Sequence, residues 1–267
     1  MDLVFDVGHS ETAVGWFEGA ELRGQWRLRT DPARTSDETG LLLRQILALV
    51  PLPHTDIRSV TVGSVVPAVT RVLEVACRRY IDTPVNQVSA LVPLPIRLEV
   101  DDPPAVAPSR IANAVAAHRL YRRRDLIVAD LGAASTYDCV SREGVLVGGA
   151  VAPGIRAAAS TLAEWAARLG DAGLLPPERV IGRGVEESLR SGVFFGAVDA
   201  VDGMVRRLRE AWGRPDALVV ATGGLAELVG PHCRGIAVVE PHLTLHGLKL
   251  VHDYHAPARP RARRPRG

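Results

Sequence analysis

The chain has 267 residues, enough for two modest domains, and 47% of them are hydrophobic, so a real core is expected. Aromatic residues make up only 4%, which leaves Val, Leu and Ala to fill that core, and no run approaches the ~18 uninterrupted apolar residues of a membrane span. Net charge is +2, yet five arginines lie in the tail 256–267 and the rest of the chain is net acidic; the tail is expected to be a solvated extension, with contact to nucleic acid or an acidic partner as the alternative.

Cys77, Cys139 and Cys233 are far apart and lack metal-type spacing, so free thiols in a reducing compartment are expected. Met1-Asp2-Leu3 offers no basic leader segment. Both features predict a cytoplasmic protein without a membrane partner. The tail 256–267, with three prolines and nothing large and apolar, is expected to be disordered.

In chain order, Leu3–Val7, Thr12–Phe17 and Leu22–Thr30 predict three successive strands. Asp37–Val50 predicts a helix, with Ser36 or Asp37 as its cap and an apolar face that includes Leu43, Ile46 and Leu47. A buried strand Val60–Val65, a helix Val69–Tyr80 and an irregular run Asn86–Asp102 follow. Ser109 is expected to cap an alanine-rich helix, Arg110–Tyr121, which ends in Arg122-Arg123-Arg124. The predicted lobes are 1–121 and 122–255.

The second lobe begins with a strand, Ile127–Asp130, then Gly132 and the small, hydroxylated cluster Ala133-Ala134-Ser135-Thr136. Runs Tyr137–Ser141 and Val145–Val147 continue it to Pro153-Gly154. A helix Ile155–Leu169, a loop Gly170–Pro177 and a long helix Glu186–Trp212, broken near Gly192 or Gly196, are expected next. A strand Ala217–Ala221 then enters Thr222-Gly223-Gly224 and the helix Leu225–Val229, and Leu243–His252 closes the fold. A strand running into Gly-Gly and a helix suits a phosphate or a purine, although an ordinary turn has the same pattern.

Two stretches repeat one device. Asp6, Gly8 and Thr12 have the mutual spacing of Asp130, Gly132 and Thr136, half a chain apart. Each copy continues into a β-rich run and an acidic-Gly turn, Glu18-Gly19 and Glu143-Gly144. A repeat at half the length indicates a duplicated domain. Glycine lets backbone N–H groups approach phosphate oxygens, and the carboxylate can hold a metal ion. Two such hairpins facing one another would grip the phosphates of a nucleotide; a plain hairpin with an acidic end is the alternative.

Several collinear segments carry a resemblance to the type III pantothenate kinases of the acetate/sugar kinase–Hsp70–actin superfamily. They include DVGHSETAVGWF, WRLRT, GSVVP, SRIANAVAA, DLGAASTYD, GGAVAPG, IGRGVEESLRSGVFFG, ATGGLAEL and HLTLHGLKL, and they span Asp2 to about Tyr254. The resemblance implies an α/β, duplicated actin-like (ribonuclease H-like) fold of two lobes with a nucleotide cleft between them. It implies ATP-dependent phosphorylation of a small molecule, pantothenate, in coenzyme A biosynthesis. It also implies Mg2+, a monovalent cation (K+ or NH4+) and a homodimer.

Carried over position by position, it places Asp6, Gly8, His9, Ser10, Thr12, Gly132, Ala133, Gly223 and Gly224 at ATP and its phosphates. Asp6 and Asp130 become the metal-linked carboxylates, and Ala107, Pro108, Arg110 and Val185 the substrate side. The departures fall at the chemistry. His9 and Ser10 replace an Asn-Thr pair, and Ala133 replaces a threonine. The Gly-x-Asp-Arg motif, source of the family's catalytic aspartate, reads Ala107-Pro108-Ser109-Arg110. Gly-Arg-Asn-Thr, whose threonine reaches substrate across the dimer, reads Gly182-Arg183-Gly184-Val185. Ser109 thus occupies the catalytic position, and Glu11 is the candidate replacement base or, alternatively, a solvated loop carboxylate. A kinase with an altered acceptor and a catalytically silent, nucleotide-binding or regulatory homologue both fit these losses.

Overall fold

A computed structural model describes residues 1–50, 57–165 and 174–255. Strands β1 (Asp2–Val7), β2 (Glu11–Glu18), β3 (Glu21–Arg29), β4 (Ser59–Ser64) and β5 (Val85–Gln87) form one sheet in the order β3-β2-β1-β4-β5. Strands β6 (Arg97–Leu98), β7 (Leu126–Leu131), β8 (Ala134–Val140), β9 (Val145–Pro153), β10 (Leu218–Thr222) and β11 (Val238–Val239) form the other, in the order β11-β10-β7-β8-β9-β6. In each sheet the first three strands of the lobe are antiparallel neighbours, and the next two run parallel to the first. The duplication expected from the Asp-x-Gly repeat is therefore a duplicated sheet topology, the actin-like arrangement.

Three layers of core follow from strand alternation. Leu3, Phe5 and Val7 of β1 face α1 (Ser36–Ala48) and α2 (Pro67–Ile81), packing with Leu43, Leu47 and Leu73. Ile127, Ala129 and Leu131 of β7 face α5 (Val185–Trp212), packing with Phe194, Val201 and Val205. The opposite faces of the two sheets share a third core, in which Val4 and Phe17 join Leu126, Val128 and Val220 around α3 (Pro108–Leu120) and α7 (Leu243–His255). This explains why α3 is buried from Ile111 to Ala117 without an amphipathic stripe: it lies between sheets, not on the surface. Gly247 lets α7 cross it closely, because a β-carbon there would lie 1.9 Å from the Ala112 carbonyl oxygen.

Several local expectations are corrected. Helix α1 is capped by Thr35, not Ser36 or Asp37; its hydroxyl accepts from the Glu38 N–H while Glu38 accepts from the Thr35 N–H, a reciprocal box. Ser109 caps nothing: Ala107 is the N-cap of α3, and Pro108 takes the first helical position, for which its fixed φ suits it. Helix α5 runs unbroken for 28 residues through Gly192 and Gly196, its first turn carrying Glu186 and Glu187. The run expected to be irregular holds the end of β5 and all of β6, and β6 joins the second sheet by pairing with β9. Helix α4 (Ile155–Trp165) begins as expected. The end of its predicted range, part of the loop 170–177 and the tail 256–267 lie outside the described residues. No helix among the described residues is long and apolar enough to cross a membrane.

Candidate functional site

The parallel strands of both sheets end at one place. Asp6 precedes the end of β1 and Asp130 that of β7, and both carboxylates project from the faces that look toward the opposite lobe. Burial pushes the Asp6 carboxyl up to about 7, and the charge of Asp130 adds to the shift. Burial likewise raises Asp130 to about 6; a hydrogen bond from Asn113 opposes this and the charge of Asp138 adds to it. The Asn113 amide donates to Asp130 Oδ2 at 2.9 Å, and its oxygen accepts from the Thr244 hydroxyl at 2.8 Å. A chain of buried polar groups from α7 through α3 thus fixes one of the two acids.

Hydroxyl groups flank that acid. Asp130 is in register with Thr136 on β8 and with Thr222 on β10, so all three side chains share a face. Neither threonine Oγ1 has a hydrogen-bond partner, although both atoms are buried. Gly223 follows, with φ +92°, and a β-carbon there would lie 2.3 Å from Asp130 Oδ1. Only glycine permits this approach.

The start of α3 joins both lobes. Pro108 packs on Gly63, the residue in register with Asp6, and a β-carbon on Gly63 would come within 3.2 Å of the Pro108 Cβ. Ser109 follows at the second helical position. Arg110 donates from Nε and Nη2 to Asp138 Oδ1 at 2.9 and 2.6 Å. Asp138 is 1% exposed and its Oδ2 has no partner, so a buried anion aims the Arg110 guanidinium. Pro108 thus stands beside the strand end that carries Asp6, and Arg110 meets Asp138 on the strand next to Asp130.

The other sequence-predicted residues lie in or just after the turns that follow these strand ends or at the start of α5, and Gly132 stays close to Asp130, whose Oδ1 would lie 3.5 Å from a β-carbon there. Thr12 has the spacing of Thr136 but not its placement. The first hairpin pairs Val7 with Thr12, leaving a four-residue loop, whereas the second pairs Leu131 with Ser135, leaving three. The slip of one residue turns Thr12 to the outer core, where its hydroxyl lies 2.8 Å from that of Thr30. His9 and Ser10 are exposed at the loop tip, and the Gly8 N–H donates to the Glu11 carbonyl. Gly132 donates to the Ala134 carbonyl, and Ala133 is exposed above Gly154, where a β-carbon would meet the Ala133 oxygen at 2.2 Å. Val185, the first residue of α5, is 68% exposed in the single chain.

Glu11 stands at the mouth, with Oε2 3.2 Å from Arg27 Nη1. Arg27, Asn113, Asp138 and Thr244 are polar groups that neither the repeat nor the Gly-Gly turn singled out, whereas Thr136 and Thr222 lie within those motifs. Asn113 alone had a visible signal, as a polar residue within an alanine-rich helix.

Two cavities of about 810 and 1040 Å³ lie elsewhere, around Asp2 and Lys249 and along α5 beside Asp202 and Arg206. Ligand atoms of Asp2, His252 and Asp253 fall within 4.8 Å of one another. The Lys249 ammonium already pairs with Asp2 at 3.4 Å and with Asp253, so an internal cation serves that cluster. The residue chemistry, not cavity size, selects the interlobe cleft.

A family model described as type III pantothenate kinase matches residues 2–207. The chain belongs to the type III pantothenate kinase family. The type III pantothenate kinase of Syntrophotalea carbinolica is 39% identical over 252 residues, covering 94% of this chain and 98% of that protein. The one from Frankia alni is 41% identical over 254 residues, covering 95% and 99%. Among solved structures, the ethanolamine utilization protein EutJ of Carboxydothermus hydrogenoformans is similar in fold, with a TM-score of 0.58 at 13% identity over 93% of this chain and 89% of that one. Membership makes the interlobe cleft of this type III family chain the place to seek the chemistry of an ATP-dependent phosphotransferase.

Proposed function

We propose that the chain is an ATP-dependent kinase acting on the primary hydroxyl of pantothenate or a closely related small hydroxy acid amide, with the acceptor half of its site altered. The observation that carries this reading is the pair Asp6 and Asp130, two desolvated carboxylates from different lobes at matching strand ends. Such a pair fits a divalent cation, since Mg2+ is commonly held by one or two carboxylates together with phosphates and water. The unpartnered, buried Thr136 and Thr222 hydroxyls beside Asp130 fit the oxygen-rich coordination of a monovalent cation such as K+.

When bound, Mg2+ would offset the charge of the phosphates between the lobes. The chain's own residues do the rest. Asn113 and Thr244 hold Asp130 in one orientation, and Gly223 keeps the backbone close. Arg110, aimed by Asp138, faces an anionic group of the acceptor. Ser109 stands where the family has an aspartate and can donate or accept a hydrogen bond, but it is no base at neutral pH. Phosphoryl transfer is largely dissociative, so positioning and charge sustain turnover, at a rate lower by the ~10²–10⁴-fold that a general base contributes.

The exposed apolar residues Val180, Ile181 and Val185, ahead of and at the start of α5, support a homodimer formed through this region. A second reading, a nucleotide-binding protein without turnover, is favoured by Ser109 alone. Phosphorylated product formed from ATP, screened over pantothenate and other hydroxylated acids and amides, separates the two. Product from pantothenate supports the kinase reading; Mg-ATP binding without product from any acceptor supports the silent one.

A further inference from the structure

Arg27, on β3, belongs to neither half of the Asp-x-Gly repeat. In the first sheet it is in register with Ala13, and Ala13 with Asp6. The three side chains therefore stand in a row on one face, with Arg27 two strand spacings, about 10 Å, from Asp6. The residue between them carries only a methyl group, so nothing bulky blocks a long side chain. The guanidinium does reach across. Its Nη1 is 3.2 Å from Glu11 Oε2, and 3.2 Å from where a β-carbon of Gly224 would stand. One cationic group of the first lobe thus lies against the Gly-Gly turn of the second, at the edge of the two-carboxylate site. Its charge opposes the upward shifts of both Asp6 and Asp130.

We propose that Arg27 is a ligand of the nucleotide's terminal phosphates, held by Glu11 while the cleft is empty and released to a phosphate oxygen on binding. The assignment rests on the interlobe cleft being a Mg-nucleotide site. Two carboxylates and a polyphosphate place more negative charge there than one divalent cation offsets. A guanidinium is suited to share it, because its planar fork matches phosphate oxygens and stays charged at every working pH. The Glu11 pair holds it near that position at half exposure, where exchanging one anionic partner for another costs little.

The test is calorimetric titration of the folded full chain with Mg-ATP, Mg-ADP and AMP. Arg27→Gln should weaken ATP about 10- to 100-fold, the worth of a charged hydrogen bond, and leave AMP unchanged. Arg27→Lys should retain part of the affinity, and Glu11→Gln, which frees the guanidinium, should tighten ATP. Arg23→Gln removes the same charge from the same strand, where Arg23 pairs with Glu18 and Glu21, and should change nothing. Unaltered ATP affinity in Arg27→Gln overturns the assignment, as does an equal loss for AMP or for Arg23→Gln. If the unmodified chain binds no Mg-ATP, the nucleotide reading of the cleft falls, and this assignment with it.

Discussion

Thr12 and Thr30 share a buried hydroxyl contact, 2.8 Å from Oγ1 to Oγ1, on the face of the first sheet that looks away from the cleft. A hairpin loop one residue longer than its counterpart puts Thr12 there, while Thr136 stays beside Asp130. Thr12→Val should therefore cost stability, about 1 kcal/mol for a lost buried hydrogen bond, and leave nucleotide affinity unchanged. Thr136→Val should do the reverse, weakening the response to K+ with little loss of stability, since its hydroxyl has no protein partner. Denaturant unfolding and nucleotide titrations with and without K+ check both.

The same pair shows what the sequence carries and what it does not. Equal Asp-x-Gly…Thr spacing encodes the duplication, and the matching strand orders of the two sheets display it. Hairpin register depends on how many loop residues the turn consumes, and spacing is blind to that. Arg27 lies on an exposed face with strict alternation, so along the chain it looks like any solvated arginine; only the three-strand row shows that it points at Asp6. The continuity of α5 through Gly192 and Gly196 was equally hidden. Packing decides it, since Phe194 between those glycines and Val198 just after them are buried.

The raised values of Asp6 and Asp130 fix a pH dependence. A carboxyl whose folded pKa exceeds its unfolded one binds its proton more tightly in the native state, so stability from these groups falls as pH rises from about 4 to 7. The nucleotide-free chain should therefore lose stability across that window, and Asp6→Asn should raise Tm at pH 8 by about 2 °C or more. Mg-nucleotide affinity has the opposite trend. It should rise ~10-fold between pH 6 and 8 as the acids ionise, and most of the rise should be lost in Asp6→Asn, with Asp130 supplying the remainder. Melting curves and titrations at several pH values measure both.

Gly223 is required by two independent constraints, its φ of +92° and the 2.3 Å approach to Asp130 Oδ1. Gly223→Ala should displace the carboxylate, reducing Mg-nucleotide affinity by ~10-fold or more while the fold survives, since the strain is local to one turn. Gly196→Ala makes the contrast: a β-carbon there meets nothing within 4 Å, and the change should stabilise α5 by about 0.5–1 kcal/mol. Nucleotide titration and thermal melts of the two variants separate the effects.

Val180, Ile181 and Val185 are 65%, 81% and 68% exposed in the single chain. Apolar surface of this kind is expected to be covered by a partner. The unmodified protein should sediment as a dimer at micromolar concentration, and Ile181→Glu should shift it toward monomer. A monomer in both cases removes the homodimer from the proposed function.

Ser109 decides how the chemistry is read. It lies second in α3, behind Pro108, where an acidic side chain suits the positive end of the helix dipole, so Ser109→Asp should fold at least as well as the unmodified chain. With pantothenate as acceptor, the added carboxylate should raise kcat by ~10-fold or more, because it supplies the base that serine cannot. With a shifted acceptor, the same change should leave pantothenate turnover near its starting value, since Ala107 and Val185 still leave the acceptor's polar groups unmatched. KM separates the branches further: a rise in kcat at constant KM places the aspartate at the reacting hydroxyl and not in binding. A full-rate pantothenate kinase with native Ser109 would overturn both branches and require another base. Glu11 would be the first residue to change, and Glu11→Gln should then lower turnover by ~10²–10⁴-fold even while ATP binding persists through Arg27.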